Sequence, residues 1–233
     1  MVKASEKKLS GKKSSKINNK VAYTLNGSAK VALEASSKRT IILFGNPRGG
    51  TTMVANVVRS MGVFLGDDLP VNLEDSNFNW DILARQNPTL SKTEKLASIK
   101  ESIGQRNSGY DVWGWKYPRI DAYFHDIESD LVNPMLICVF RDVVASTWRG
   151  VVRRNEPPLN LLRRALEVQA NNLNLIDQSG LPALLISYEQ AIADPLGLAS
   201  SLSQFMSFNL SDEQLRLHSR KVNPSLGYKA SDV

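Results

Sequence analysis

Gly45-Asn46-Pro47-Arg48-Gly49-Gly50-Thr51-Thr52 follows the apolar run Thr40-Ile41-Ile42-Leu43-Phe44 and leads into a stretch where Met53, Val54, Val57, Val58 and Met61 recur at helical spacing. The layout is strand, glycine-rich turn, helix. Such a turn leaves successive backbone N–H groups unpaired and aims them, with the positive end of the helix dipole, at an anion. The spacing Gly45-x4-Gly50-x-Thr52 fits the phosphate loop GxxxxGK[ST], with Thr51 standing where that motif has its lysine. In the motif that lysine reaches the β- and γ-phosphates of a nucleoside triphosphate. Its absence, with Arg48 two residues before Gly50, points to an anionic nucleotide held differently from ATP.

Outward from this loop, short apolar runs at Val112 to Trp115, Met135 to Phe140 and Ala183 to Ser187 have the length of fully buried strands, as does residues 40–44. Helical patterns run from Gly50 to Met61, near Trp80 to Gln86, and from Ser91 to Ile103, where Ser91 and Glu94 form a capping-box pair. A long helical region between the last two strands breaks at Glu156-Pro157-Pro158, and its second half sets Leu162, Leu166, Leu173 and Ile176 on one face. The stretch Leu65 to Phe78, rich in Asp, Asn and Pro, reads as an irregular loop. Strands alternating with helices imply an α/β fold of the P-loop NTPase-like kind, three layers with a central parallel sheet flanked by helices. Ligands are then expected at the carboxyl ends of the strands.

The formal charge of +6 over 233 residues resembles a nucleic-acid signature until it is located. Positions 1–39 hold ten cations against Glu6 and Glu34, a net of +8, so the rest of the chain carries −2. The basic stretch is rich in Lys, Ser and Asn and buries too little apolar surface to offset its ordering entropy, so 1–39 is expected to be a disordered tail and 40–233 a single domain. It is either a solvated leader or an arm for a polyanion or acidic membrane surface. Aromatic and arginine side chains are absent before Val21, so nucleic acid is not the expected partner. The sole cysteine, Cys138, sits in an apolar run and reads as core. No apolar run approaches the ~20 residues of a membrane span, and no signal-peptide pattern follows the basic start, so a soluble cytoplasmic protein is expected.

Each remaining chemical motif falls at a strand end. Arg141-Asp142 follows the run Met135 to Phe140 and opens a basic helix with Ser146, Thr147, Arg149, Arg153 and Arg154, either a bidentate cradle for a fixed phosphate or a solvated face. Lys116-Tyr117-Pro118-Arg119 follows Val112 to Trp115; Lys116 supplies a mobile point charge or bridges to a loop carboxylate. Glu74-Asp75 lies in the irregular loop, as a base toward a substrate hydroxyl or as a solvated pair. Tyr188, after the last strand, either stacks on a nucleobase or closes the core.

In this order the residues resemble the sulfotransferase superfamily, enzymes that use 3′-phosphoadenosine 5′-phosphosulfate, and especially its small bacterial or phage-type members and its tyrosylprotein branch. The resemblance covers about Thr40 to Lys229. NPRGGTT is similar to the family's 5′-phosphosulfate loop, with Gly49 in place of its serine, and implies that Arg48, Gly49, Gly50, Thr51 and Thr52 bind the cofactor. FRDVVASTWRGVVRR resembles the 3′-phosphate motif: Arg141 and Arg153 match and Arg149 occupies the serine position, so that either Ser146 or Thr147 substitutes from a neighbouring turn or Arg149 itself binds. GWKYPR is similar to the segment carrying a catalytic lysine, here Lys116. LEDSNF resembles the segment carrying a glutamate base, which implies Glu74 with Asp75 as the alternative. ISYEQAIADP resembles a segment whose tyrosine lies near the nucleotide, which implies Tyr188, and KVNPSLGYK resembles the segment that closes over the cofactor, implicating Lys229. The resemblance implies sulfuryl transfer without a metal to a hydroxyl or amine of a small molecule or glycan. Trp80, Trp113, Trp115, Tyr117 and Trp148, near the site loops, favour a carbohydrate acceptor. The competing readings are a P-loop small-molecule kinase using ATP and Mg²⁺, and a non-catalytic nucleotide-binding module.

Overall fold

The computed structural model describes residues 21–27, 37–154 and 156–224, without the side chains of 149, 150 and 152–154. Its strands are β1 (Ala22–Leu25), β2 (Arg39–Gly45), β3 (Val112–Lys116), β4 (Pro134–Phe140) and β5 (Ala183–Ser187). The helices are α1 (Thr51–Ser60), α2 (Trp80–Gln86), α3 (Lys92–Gly109), α4 (Phe124–Ile127), α5 (Val143–Arg154), α6 (Pro158–Ser179), α7 (Tyr188–Ala193), α8 (Pro195–Phe205) and α9 (Asp212–Ser219).

The strands form one sheet in the order β1-β5-β4-β2-β3, with β2 to β5 parallel. Ile41, Ile42, Leu43 and Phe44 of β2 are fully buried, each contributing about 1.5–3 kcal/mol of transfer free energy, which fixes β2 at the centre. Alternation along the strands separates two cores. Ile41, Leu43, Ile137 and Ile186 pack with α1 and α8, whereas Ile42, Phe44, Trp113, Trp115 and Cys138 pack with α3, α4 and α6. This is the expected three-layer arrangement. Because β2 has β3 on one side and β4 on the other, the chain leaves its carboxyl end in opposite directions, and the loop Gly45 to Thr52 lies at that switch point.

Three differences from the sequence reading have physical causes. Ala22–Leu25, inside the stretch read as tail, pairs antiparallel with β5, Ala22 opposite Ile186, so the sheet has an antiparallel edge. The lysine-rich composition around it masked a short apolar run, and Val21 is 1% exposed. Residues 1–20 and 28–36 of that stretch lie outside the described residues. The helix expected to end at Ile103 continues to Gly109, because Arg106 in its last turn is anchored on Asp75 at 2.8 Å and stacks over Phe64. In α6 the buried side is Asn172, Leu175 and Ile176, flanked by half-buried Leu161, Ala165 and Val168, whereas Leu166 and Leu173 are exposed. A fourfold leucine spacing alone did not fix the buried face.

Cys138 is buried in the core as expected, and burial pushes its thiol up. Among the described residues no helix is long and apolar enough to cross a membrane.

Candidate active site

The loop after β2 is shaped by backbone constraints. Gly45 passes so close to β4 that a Cβ there would meet the Val139 carbonyl oxygen. Gly50 has φ +91°, and a Cβ there would run into the Tyr188 ring. Arg48 takes φ +66°, a conformation that costs a non-glycine residue about 1–3 kcal/mol and persists where surroundings over-determine it. Here Gly49 N–H donates to the Asn46 carbonyl at 2.8 Å, and Asn46 Nδ2 ties the loop to α6 through the Ala165 carbonyl at 3.2 Å. At the N-terminus of α1, Gly50 has no side chain to cap the first-turn amides. They are left for an anion.

Lys116, the last residue of β3, is 3% exposed and reaches across to this helix start. Its Nζ donates to Glu74 Oε1 at 2.8 Å, to the Asn72 carbonyl at 2.9 Å and to Thr52 Oγ1 at 3.3 Å. Burial lowers its pKa below the ordinary lysine value, and the neighbouring Glu74 opposes that shift. The second oxygen of Glu74 accepts from Asn79 Nδ2 at 2.8 Å. Asn79 also caps α2, its Oδ1 accepting from the Ile82 amide, so a helix cap doubles as the clamp that orients Glu74. Asp75 points elsewhere. It is 5% exposed, accepts from the Asn77 amide at 3.0 Å and pairs with Arg106. Burial raises its pKa against those two contacts.

On the other flank, Arg141 Nη1 donates to the Arg48 carbonyl at 2.9 Å, and its guanidinium lies 4.4 Å from the Tyr188 ring centroid. Arg141 Nε is buried with no protein partner. A buried orphan N–H of this kind fits an anionic ligand. Tyr188 opens α7, 6% exposed, and packs under both Gly50 and Arg141. Together Arg48, Gly50, Thr52, Glu74, Lys116 and Tyr188 line a cavity of about 240 Å³.

Thus Arg48, Gly50, Thr51, Thr52, Glu74, Lys116 and Tyr188 gather around one cavity, with Gly49 in the same loop and Arg141 braced on the loop's backbone. Ser146 is turned back into its helix, Oγ donating to the Val143 carbonyl at 3.0 Å, and Thr147 does the same at 2.8 Å. The side chains of Arg149 and Arg153, and Lys229 altogether, lie outside the described residues.

Of the five aromatics behind the carbohydrate expectation, three lie in the core, Trp80 is half-buried and Trp148 is 65% exposed on α5. Trp113, Trp115 and Tyr117 are at most 2% exposed and stack with Phe78 and Tyr123 in the core, and Trp80 lies on Tyr123. Tyr117 OH is held by Asp81 at 3.2 Å, and burial raises its pKa. Asn72 and Asn79 are the site residues that sequence reasoning missed. An asparagine before a helical run signals a cap, but the same side chain's grip on Glu74 has no local signature.

A scan against models of protein families finds no match, and a search of curated proteins finds none either. Among solved structures, the chain is similar to a sulfotransferase domain from the curacin biosynthetic pathway, with TM-score 0.52 and 17% identity over 81% of this chain and 84% of that one. It is also similar to the sulfotransferase domain of the Synechococcus PCC 7002 olefin synthase, with TM-score 0.51 and 19% identity over 85% and 80%. The chain therefore has the fold of these sulfotransferase domains, a mostly parallel sheet flanked by helices.

Proposed function

We propose that the chain is a sulfotransferase that takes 3′-phosphoadenosine 5′-phosphosulfate as donor and a hydroxyl or amine as acceptor. The observation that carries this reading is the position of Lys116, which comes from a neighbouring strand to the helix start that lacks its own loop lysine and there meets both Thr52 and Glu74. The nucleotide fits the residues present. The uncapped amides of α1 and Arg48 suit the 5′ end, the orphan Nε of Arg141 suits the 3′-phosphate, and Tyr188 lies between them.

When bound, the donor supplies a sulfuryl group on a phosphate leaving group. Glu74, held by Asn79, receives the acceptor's proton at a carboxylate oxygen as the new S–O bond forms and the bond to the bridging oxygen breaks. Lys116 is then the cation positioned to balance charge on that bridging oxygen, and the loop amides hold the phosphate. Positioning and preorganised charge dominate such a transfer, because its transition state is loose. Glu74 accepts one hydrogen bond on each oxygen in this structure, which leaves a lone-pair site on each for the acceptor's proton.

Transfer of labelled sulfate from the donor to a panel of hydroxyl and amine acceptors tests this reading. Glu74→Gln should lower turnover by roughly 10²–10⁴-fold while bisphosphate binding stays close to normal. Near-normal turnover in that variant would remove Glu74 from the role.

A further inference from the structure

A second cavity, of about 400 Å³, opens on the far side of the phosphate loop between α5 and α6. Pro47 and Arg48 line both cavities, and the segment after β3 spans them, with Pro118 on the first and Arg119 on the second. Arg48, Arg119 and Arg164 all line this space, and among the described residues no carboxylate does. Three arginines without an acid stand out in a domain whose residues 40–233 carry a net charge of −2.

Two of these arginines are steadied from outside. Arg119 spends only Nη1 on Asp81, at 3.3 Å and 3.4 Å, and Arg164 spends only Nη2 on Glu156. A guanidinium carries five N–H donors, so each keeps donors for a second, planar anionic group. Ser146 and Thr147 on the α5 wall contact carbonyls of their own helix and Asn46 Nδ2 donates to the Ala165 carbonyl, so among the described residues the arginines are the cations facing the space. The groups assigned above to the nucleotide's phosphates lie at the first cavity and at Arg141, which does not line the second.

Resting on the sulfotransferase reading, we infer that the second cavity is the acceptor subsite and that the acceptor is anionic, a hydroxyl compound bearing a carboxylate or phosphate that Arg119 and Arg164 grip. Arg48, on the shared wall, separates that charge from the sulfuryl group.

The test is calorimetric titration of the protein saturated with adenosine 3′,5′-bisphosphate, using matched pairs that differ in charge: 4-hydroxyphenylacetate and its methyl ester, glucuronate and glucose, glycerol 3-phosphate and glycerol. In at least one pair the anionic member should bind about tenfold more tightly or better, the scale of a charge-assisted hydrogen bond. That preference should fall to about twofold or less in the Arg119→Ala, Arg164→Ala double variant, with bisphosphate affinity unchanged; the Arg119→Lys, Arg164→Lys variant should keep part of it. Both side chains are more than half exposed, so the folded state should tolerate the changes, and thermal melting checks this. The inference is overturned if no anionic member binds more tightly than its neutral partner. It is equally overturned if the double alanine variant weakens bisphosphate binding about tenfold, which would give the cavity to the nucleotide. Absence of bisphosphate binding in the wild type removes the sulfotransferase reading itself, and this inference with it.

Discussion

Lys116 commits all three ammonium N–H groups, to Glu74, Asn72 and Thr52, inside a site that leaves it 3% exposed. Burial disfavours its charged form, so its folded pKa lies below 10.5 even with Glu74 beside it. The unfolded chain then holds that proton to higher pH than the folded one, and the burial penalty, fully present at low pH, is relieved as pH rises from the lowered value toward 10.5. In urea unfolding, the wild type should gain stability over Lys116→Met as pH climbs through that window; a difference independent of pH would contradict the burial. At this scale the sequence was partly legible. Lys116 stood out because it ends an apolar run, whereas Glu74, in the loop after α1, stood out through the resemblance of LEDSNF. The separation of Glu74 from Asp75 was not, since it depends on Arg106, 31 residues further along, and on Asn79, whose cap and clamp roles share one side chain.

At the level of elements, the strands were readable because each buried strand is a short run of apolar residues, and α3 began where its capping box places it, with both Ser91 and Glu94 contacts formed. What periodicity did not resolve was orientation. The leucines of α6 lie on two sides of the helix, and the side that packs is chosen by the sheet and by Asn46 holding the Ala165 carbonyl. Leu175→Ala should therefore cost about 2–5 kcal/mol, whereas Leu166→Ser and Leu173→Ser should change stability by about 0.5 kcal/mol or less. Chemical denaturation of the three variants measures this, and comparable losses at all three would mean that α6 packs by its leucine stripe after all. The edge strand β1 was hidden for another reason. Four residues within a lysine-rich stretch carry almost no periodic signal, and their place is set by the ladder of β5.

For the whole molecule, strand order brings the chemistry together. Residues from the ends of β2, β3, β4 and β5 converge because β2 sits where the strand order reverses, and Lys116 from the adjacent strand reaches Thr52 at the start of α1. The departure from the ATP motif was visible in the sequence; that Lys116 reaches Thr52 follows from the pairing of β3 with β2, Lys116 beside Leu43. The central claim is that this assembly selects a 3′-phosphorylated adenine nucleotide over a nucleoside triphosphate with its metal. Calorimetric titration with adenosine 3′,5′-bisphosphate, without divalent metal, against ATP with Mg²⁺ tests it most directly. The expected result is saturable one-to-one binding of the bisphosphate that is much tighter than any binding of Mg²⁺-ATP, and tight binding of Mg²⁺-ATP with none of the bisphosphate would contradict it.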